Sequence, residues 1–437
     1  MWRSSRVLAL ISSVLVAPAA LHAQASGGWS RISLFGMSQN ATYGDGITRK
    51  FHEVIMNIRL RSATIDEGDG LEYALDVRGS KSPGAEAGPT RTNIYDAWVS
   101  GRTAGGALRI RAGQMWLDEL GGIGSVGGLS AEYRARSGTA AGRFRAGIFG
   151  GLDPKNFEAG YVRGVKKGGA WAALDGQGNR RHVLGYVLVK DAGLTERSVI
   201  TTTNFVPIGT KFFLYQAAEY DLRGPGGVGK GGLNYFFANA RFTPVRAVEI
   251  MTTYHRGRSI DTRTITQDIL DGRPVDQKSL DGYRFESAGG RVTVEVMRNL
   301  RLYAGYSSDR NNGYDKAAGR VTAGFWASNI AGSGVDFTLS DNRVNQTTGK
   351  YNAWYASLGR SLGRNFYGSL DYSTSLSLVR FVDAGGLVVE TRPRTKRYGA
   401  NAVWNLSRWV SFLMTAEQLR DDQSVDNRLM VGTTFRF

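Results

Sequence analysis

Arginines recur in pairs two residues apart along this chain, and a guanidinium group binds a carboxylate or a phosphate through forked hydrogen bonds. Residues two apart point to one face of an extended strand, whereas they point to opposite sides of a helix. The spacing therefore predicts strands that carry positive charge on one face. The pairs are Arg59 and Arg61, Arg109 and Arg111, Arg134 and Arg136, and Arg143 and Arg145.

The segments around these pairs alternate apolar and polar residues, as in residues 52–62 (HEVIMNIRLRS), 129–136 (LSAEYRAR) and 291–297 (RVTVEVM). Such alternation is typical of strands with two unlike faces. Turns rich in Gly, Asn, Asp or Pro separate units of roughly ten residues, and this pattern alone fits a soluble sandwich or propeller as well as a membrane barrel. The chain has no cysteine and no composition shift that would divide it. We therefore expect a single architecture without disulfides or covalently attached haem.

The first 25 residues have the features of a cleaved secretory signal. Arg3 and Arg6 precede an apolar run from Val7 to Leu21, and small residues follow at 23–25. The run is shorter than the ~20 apolar residues of a membrane-spanning helix. We expect cleavage after Ala25, or after Ala23, and one domain over residues 26–437. Loss of Arg3 and Arg6 leaves 53 basic and 38 acidic residues, a net charge of +15.

Connections in the second half alternate between short and long. The short ones are residues 243–246, 297–299, 361–365 and 406–408, and the long polar ones are 259–282, 309–318, 341–349 and 382–396. Short turns at one end and long loops at the other are typical of outer-membrane barrels. Aromatic residues at strand ends are expected at the lipid–water interface, namely Trp98, Trp116, Tyr254, Tyr306, Trp404 and Trp409.

The chain ends within an alternating segment, NRLMVGTTFRF. One face of it carries Leu429, Val431, Thr433, Phe435 and Phe437. Together with the signal and the repeated strands, this segment resembles the last strand of a bacterial outer-membrane β-barrel of the porin-like kind, and the resemblance covers essentially the whole mature chain. It implies that these five residues are read by the barrel-assembly machinery and that the last strand pairs with the first, near residues 29–38. Residues 94–116 also resemble a porin hairpin.

These observations predict an all-β fold: a closed antiparallel transmembrane β-barrel of about 22 strands, or of 18 or 20, integral to the bacterial outer membrane. We expect short periplasmic turns, longer extracellular loops and both termini in the periplasm. Residues 152–166 are predicted to lie in an outer loop, and the register is least defined between residues 151 and 232. The lumen of such a barrel is too wide for its own side chains to fill.

An arginine that faces lipid at the bilayer midplane costs roughly 2–4 kcal/mol, so we expect the paired arginines to face the lumen. The predicted site is a basic collar at the periplasmic mouth, formed by Arg59, Arg61, Arg109, Arg111, Arg134, Arg136, Arg143 and Arg145. A collar of this sign would favour anions. The hypothesis is a passive channel for small polar or anionic solutes. The alternative is that these arginines are paired with acidic residues such as Glu53, Asp96 and Glu132 and give no selectivity.

Other functions remain open. The barrel could instead be a scaffold or export conduit that docks a periplasmic partner, or an importer with an N-terminal plug. A hydrolase would use His52 and His255, which we expect near the outer rim; we nevertheless expect no enzyme. No metal-ligand spacing, cofactor motif or nucleic-acid motif is present in the sequence. Expected membrane partners are outer-membrane lipid and lipopolysaccharide, whose phosphates could meet Lys166, Lys167, Lys230, Arg256 and Arg258.

Overall fold

The computed structural model describes residues 28–64, 68–83, 90–155, 158–313, 316–346, 349–382 and 388–437. The predicted signal, residues 1–25, lies outside this part of the chain. Within it the chain forms the following strands: β1 (Trp29–Tyr43), β2 (Thr48–Arg61), β3 (Gly70–Lys81), β4 (Arg91–Thr103), β5 (Leu108–Trp116), β6 (Ser125–Arg134), β7 (Arg143–Pro154), β8 (Tyr161–Asp175), β9 (Arg181–Asp191), β10 (Leu194–Ile208), β11 (Phe212–Arg223), β12 (Lys230–Val245), β13 (Val248–Ser259), β14 (Tyr283–Met297), β15 (Leu300–Asn311), β16 (Ala318–Ala327), β17 (Val335–Gln346), β18 (Gly349–Leu362), β19 (Phe366–Val382), β20 (Val388–Thr391), β21 (Arg394–Asn405), β22 (Val410–Arg420) and β23 (Ser424–Arg436). Two α-helices, α1 (Thr262–Leu270) and α2 (Gln277–Asp281), lie between β13 and β14, and short 3-10 helices occur at Asp118–Ile123, Gln177–Asn179, Pro225–Gly227 and Ile330–Gly332.

The strands form a ring that closes between the first and last strands. Each strand pairs antiparallel with its neighbour along the chain, and β23 pairs with β1 from Arg31↔Arg436 to Tyr43↔Ser424. The short β20 pairs with the upper end of β19, above β21 on the same side of β19. The ring therefore has 22 strands with one short extension. Closure gives hydrogen-bond partners to the backbone N–H and C=O groups of the first and last strands, which would otherwise lack partners in the hydrocarbon of the membrane.

The outer face of the ring is apolar. Alternate residues of the strands place large apolar side chains outward; examples are Val54, Leu71, Val99, Ile110, Leu129, Ile148 and Leu184, which are between 44% and 81% exposed. Tyr306 and Trp404 are also outward and exposed. A closed antiparallel barrel with an apolar outer wall is the architecture of integral outer-membrane proteins. The predicted porin-like barrel of 22 strands is confirmed.

Two aromatic residues do not lie where the sequence predicted. The Trp98 side chain is 7% exposed and packs inside the ring, with the guanidinium carbons of Arg109 and Arg111 at 5.2 and 4.8 Å from its ring centroid. Trp116 also lines a cavity of the lumen. The prediction that these two tryptophans face the lipid interface is therefore wrong, because position at a strand end does not fix which face a side chain takes.

The four short turns predicted in the second half of the chain lie at one end of the ring, but two predicted loops are largely strand. β7 continues to Pro154 and β8 begins at Tyr161, so residues 152–166 do not form one outer loop. β17 continues to Gln346 and β18 begins at Gly349, so the long loop predicted at 341–349 is wrong. In both places polar strand ends had the composition of a loop. No helix among the described residues is long and apolar enough to cross a membrane.

Candidate functional site in the lumen of the barrel

A connection between β5 and β6 folds into the ring. Leu117, Leu120 and Ile123 of this inserted loop (residues 117–124) are 2%, 0% and 7% exposed. They belong to one apolar cluster with side chains of the inner wall, among them Trp171 and Val187. The loop contacts β8, β9 and β10. It therefore narrows the lumen from one side.

Leu120 can reach the wall because β9 has a glycine at the point of contact. A Cβ atom on Gly185 would overlap Leu120 Cδ2 and would also crowd Thr201 Oγ1. Gly185 is thus the position on β9 where Leu120 of the inserted loop contacts the wall. A glycine in a strand often marks such a close approach.

Below the inserted loop, buried carboxylates hold several of the arginines. Glu72 on β3 is 3% exposed; its carboxylate accepts from Arg109 Nη2 at 2.6 Å and from Arg102 Nε at 3.4 Å. Ser100 Oγ donates to Glu72 at 3.1 Å. A buried carboxylate needs such partners, because an unpaired charge away from water is costly.

A second cluster ties the inserted loop to the wall through Arg145 on β7. Arg145 Nη1 lies 3.0 Å from Glu119 of the loop and 3.2 Å from Glu132 on β6. Its Nε donates to Asp175 at 2.5 Å. Arg181 Nη2 on β9 also lies 2.8 Å from Glu119. Burial raises the pKa of Glu119, but the charges of Arg145 and Arg181 lower it, and the result lies below the ordinary value.

Five of the eight predicted collar arginines meet at one cavity of about 170 Å³. Its charged lining consists of Arg61, Arg109, Arg111, Arg134 and Arg145 with Glu72, Asp118, Glu119 and Glu132. Five positive groups therefore face four negative ones. The charge of this wall is largely compensated, and of the acidic partners that the alternative interpretation named, Glu132 is among the lining residues.

The other three collar arginines lie elsewhere. Arg59 Nε pairs with Asp76 at 2.9 Å on the inner face of β2 and β3. Arg136 Nη2 donates to the Ala104 carbonyl at 2.9 Å, and Arg143 Nε donates to the Ala135 carbonyl at 2.7 Å. Arg136 and Arg143 thus fasten the turns between β4 and β5 and between β6 and β7. Both residues therefore lie at the periplasmic turns, and the collar as the sequence analysis drew it stays a prediction.

A row of three arginines crosses the closing seam on the inner face. Arg31 on β1 lies directly opposite Arg59 on β2 and opposite Arg436 on β23. Arg436 Nη1 donates to Ser411 Oγ at 2.6 Å. Like charges in direct cross-strand register destabilise a sheet. The row lies near the ends of the chain, at the periplasmic end of the ring, and because Arg59 pairs with Asp76 its positive charge comes from Arg31 and Arg436.

The wall opposite the charged clusters is aromatic. Rings from β10 to β14 follow one another across adjacent strands, with centroid distances of 4.8 Å for Phe205–Tyr215, 5.8 Å for Tyr215–Phe237, 5.9 Å for Phe237–His255 and 4.7 Å for His255–Phe285. Register places all five side chains on the inner face, since they pair with one another or with inward residues. A contiguous row of rings offers a surface on which a flat, weakly polar group can pack.

A larger cavity of about 460 Å³ separates the inserted loop from this aromatic row. Leu120, Gly121 and Gly122 line it on one side, and Tyr215 and Phe285 line it on the other. The cavity is large enough for a small organic solute. It is the narrowed part of the lumen, between the inserted loop and the aromatic row.

The loop between β13 and β14 also folds over the lumen. Ile265 of α1 is 2% exposed, and the side chain of Arg263 crosses to Asp153 of β7 at 2.8 Å and to Glu196 of β10 at 3.4 Å. Gln267 hydrogen-bonds Asp191 of β9. These contacts make α1 a strap across the outer end of the lumen.

The histidine pair of the hydrolase alternative does not come together. His52 lies opposite Ser38, on the outer face of β2, whereas His255 lies on the inner face of β13 among aromatic rings. The two imidazoles therefore point to opposite sides of the wall. Within the described ranges, no group of three or more His, Asp or Glu residues could hold a metal ion.

Sequence reasoning missed the parts of the lumen that depend on long-range contacts. The inserted loop, the carboxylates of Glu72 and Glu119 and the arginines Arg31 and Arg436 were not singled out. The loop had a signal: Leu117, Leu120 and Ile123 are spaced three apart in a segment rich in glycine. Lys167, which we expected near lipopolysaccharide, instead donates from its Nζ to Asp153 at 3.0 Å and is buried.

No family model matches this sequence, and no curated protein matches it. Solved structures of similar architecture include Pseudomonas aeruginosa OccK5 (OpdH), with 9% identity, a TM-score of 0.45 and coverage of 94% of this chain and 98% of that one. Pseudomonas aeruginosa OccK7 (OpdD) matches with 9% identity, a TM-score of 0.44 and coverage of 94% and 99%. Acinetobacter baumannii OccAB4 matches with 8% identity, a TM-score of 0.43 and coverage of 95% and 99%. The fold assignment rests on the strand pairing described above.

Proposed function

We propose that this barrel is a passive channel for small hydrophilic solutes and that it prefers anions. The observation that carries the preference is the row of Arg59, Arg31 and Arg436 side by side at the periplasmic mouth. Like charges in register are tolerated where water or a passing counter-ion screens them. A wall of one sign raises the local concentration of the opposite ion.

The compensated cluster around Glu72, Glu119 and Glu132 has a different part in this proposal. There the carboxylates of Glu72, Glu119 and Glu132 fix the guanidinium groups in place and anchor the inserted loop. The opposing aromatic row gives the apolar part of a solute a place to pack. The narrowed lumen therefore favours small anions with a flat organic part over bare inorganic ions.

The size of the electrostatic effect can be bounded. A unit charge about 5 Å from a passing ion contributes roughly 0.8 kcal/mol in water, and two such charges contribute about 1.7 kcal/mol. Screening at physiological salt, where the Debye length is about 8 Å, reduces this value. We expect removal of two mouth arginines to change the anion-to-cation permeability ratio several-fold.

The test compares two double variants that remove equal charge. Arg31→Gln with Arg436→Gln removes it from the mouth row, and Arg136→Gln with Arg143→Gln removes it from the periplasmic turns. Reversal potentials under a KCl gradient in planar bilayers should shift toward zero for the first variant alone. Equal shifts in both variants, or a shift in neither, would refute the assignment of selectivity to the mouth row.

A further inference from the structure

A second group of arginines lies on the outside of the barrel, facing away from the lumen. Arg256 on β13 lies directly opposite Glu286 on β14, and Glu286 lies directly opposite Arg310 on β15. Residues paired in register share one face of a sheet. The face is the outer one, because the neighbouring His255 points into the lumen. Arg258 and Arg284 form the next pair toward the outer rim.

The height of this group follows from the residues below it on the same face. Tyr254 and Tyr306 lie one and two outward positions lower on β13 and β15, and Val292 and Leu302 continue the face toward the short turns. Val292, Leu302 and Tyr306 are 43%, 44% and 58% exposed. Each outward position adds about 6.6 Å along a strand. Along this face the apolar residues lie at the height of the hydrocarbon layer, the tyrosines at the lipid–water interface and the arginines at the height of the lipid headgroups.

The arginines surround a surface recess of about 640 Å³. Four arginines and one acidic residue are among its lining residues: Arg256, Arg258, Arg284, Arg310 and Glu286, together with Asn311 and Asn312. Glu286 accepts a hydrogen bond from Tyr254 Oη at 2.8 Å. The recess therefore carries more positive than negative charge, and the strand pairing of Arg256, Glu286 and Arg310 fixes the backbone at its base.

Hydrogen bonds also hold parts of the rim of this recess in place. Arg258 Nε donates to Asn234 Oδ1 at 3.0 Å, and the Arg284 backbone N–H donates to Asn312 Oδ1 at 3.1 Å. Asn312 Nδ2 donates in turn to the Gly282 carbonyl at 3.0 Å. The Arg284 side chain remains 60% exposed, with Asp281 at 3.5 Å. The Arg258 side chain also lines the lumen cavity, so the outward guanidinium groups of this recess are those of Arg256, Arg284 and Arg310.

Solutes in the lumen cannot reach this face, so its ligand must come from the outer leaflet. Guanidinium forks match the oxygens of a phosphate group, and several together bind a doubly charged or paired phosphate. We propose that the outer face of β13–β15 is a binding site for the phosphate groups of an outer-leaflet glycolipid, with Arg256 and Arg310 as its central ligands. The site does not depend on the proposed channel.

The experiment uses the purified full-length barrel in detergent and diphosphoryl lipid A as probe. Binding is measured by microscale thermophoresis for the wild type, for Arg256→Gln with Arg310→Gln, and for Arg136→Gln with Arg143→Gln, which removes equal charge at the opposite end of the barrel. We expect at least tenfold weaker binding in the first variant alone. Lipid A stripped of both phosphates should bind the wild type as weakly as that variant binds the intact lipid.

A conservative variant and a soluble anion complete the test. Arg256→Lys with Arg310→Lys keeps the positive charge but removes the forked hydrogen bonds of the guanidinium groups, so we expect an affinity between those of the wild type and the glutamine variant. If the glutamine variant fails to fold, the lysine variant takes its place in the comparison. Inorganic pyrophosphate should not displace the lipid at equal concentration. Equal affinity of wild type and both arginine variants, or equal binding of stripped and intact lipid, would overturn the proposal. Displacement by pyrophosphate at equal concentration would also overturn it, since the site would then bind free anions.

Discussion

Replacing Leu120 with alanine should release the inserted loop from the lumen wall. Leu120 is 0% exposed and sits on the backbone of Gly185. Leu117 and Ile123 remain in the variant, as do the ion pairs of Glu119, so the loop keeps part of its attachment. The expected effect is therefore a loop that leaves its docked position often, within a barrel that still folds.

The magnitude follows from the burial of this side chain. A fully buried leucine replaced by alanine costs about 2–5 kcal/mol, which includes the cavity left behind. A loss of about 3 kcal/mol lowers the ratio of docked to undocked loop more than a hundredfold. This loss concerns the loop, because the hydrogen-bonded ring of strands is unchanged.

Single-channel recording in planar bilayers measures the result. The Leu120→Ala channel should show larger conductance and added fluctuation between levels, with unchanged heat-modifiable migration of the folded barrel on gels. The control is Leu184→Ala, which removes the same atoms from the residue next to Gly185 but on the lipid-facing side, where Leu184 is 59% exposed. A Leu120→Ala channel with the conductance and noise of the wild type would refute the docking role of Leu120.

Three further perturbations have defined outcomes. A Cβ atom on Gly432 would overlap the ring of Phe35 across the closing seam, so Gly432→Val should lower the yield of folded barrel in refolding assays, whereas Gly36→Val, with open space at its Cβ, should not. Burial raises the pKa of Glu119 and two arginine charges lower it to below the ordinary 4.5; the stabilisation by its ionised form is therefore complete above that value and lost as pH falls through the lowered pKa. Channel noise should accordingly stay constant from about pH 7 to about pH 5 and rise only below about pH 4, and a rise already at neutral pH would contradict this linkage. Arg263→Ala removes the contacts of the strap and should speed proteinase K cleavage within residues 260–282 in intact proteoliposomes, whereas Arg273→Ala, a 59% exposed residue of the same loop, should not.

The ring could be predicted from the sequence because alternation is a local property. Residues 52–62 and 427–437 each show which side chains face lipid, and the strand count followed from counting such segments. The same local rule failed at polar strand ends such as 341–346, which have the composition of loops.

The lumen was less predictable because its contacts join residues far apart in the chain. Glu72 meets Arg109 and Glu119 meets Arg181 only when the ring has closed and the loop has folded inward. The arginine row at the mouth likewise depends on the closing register of β1 with β23. No spacing within one segment carries that information.

The most direct test of the channel is the current through the wild-type barrel in a planar bilayer under a KCl gradient. We predict ion currents whose reversal potential shows preference for chloride over potassium, and a preference that weakens as the salt concentration rises. A barrel that carries no current, or one that prefers potassium, would contradict the proposed function.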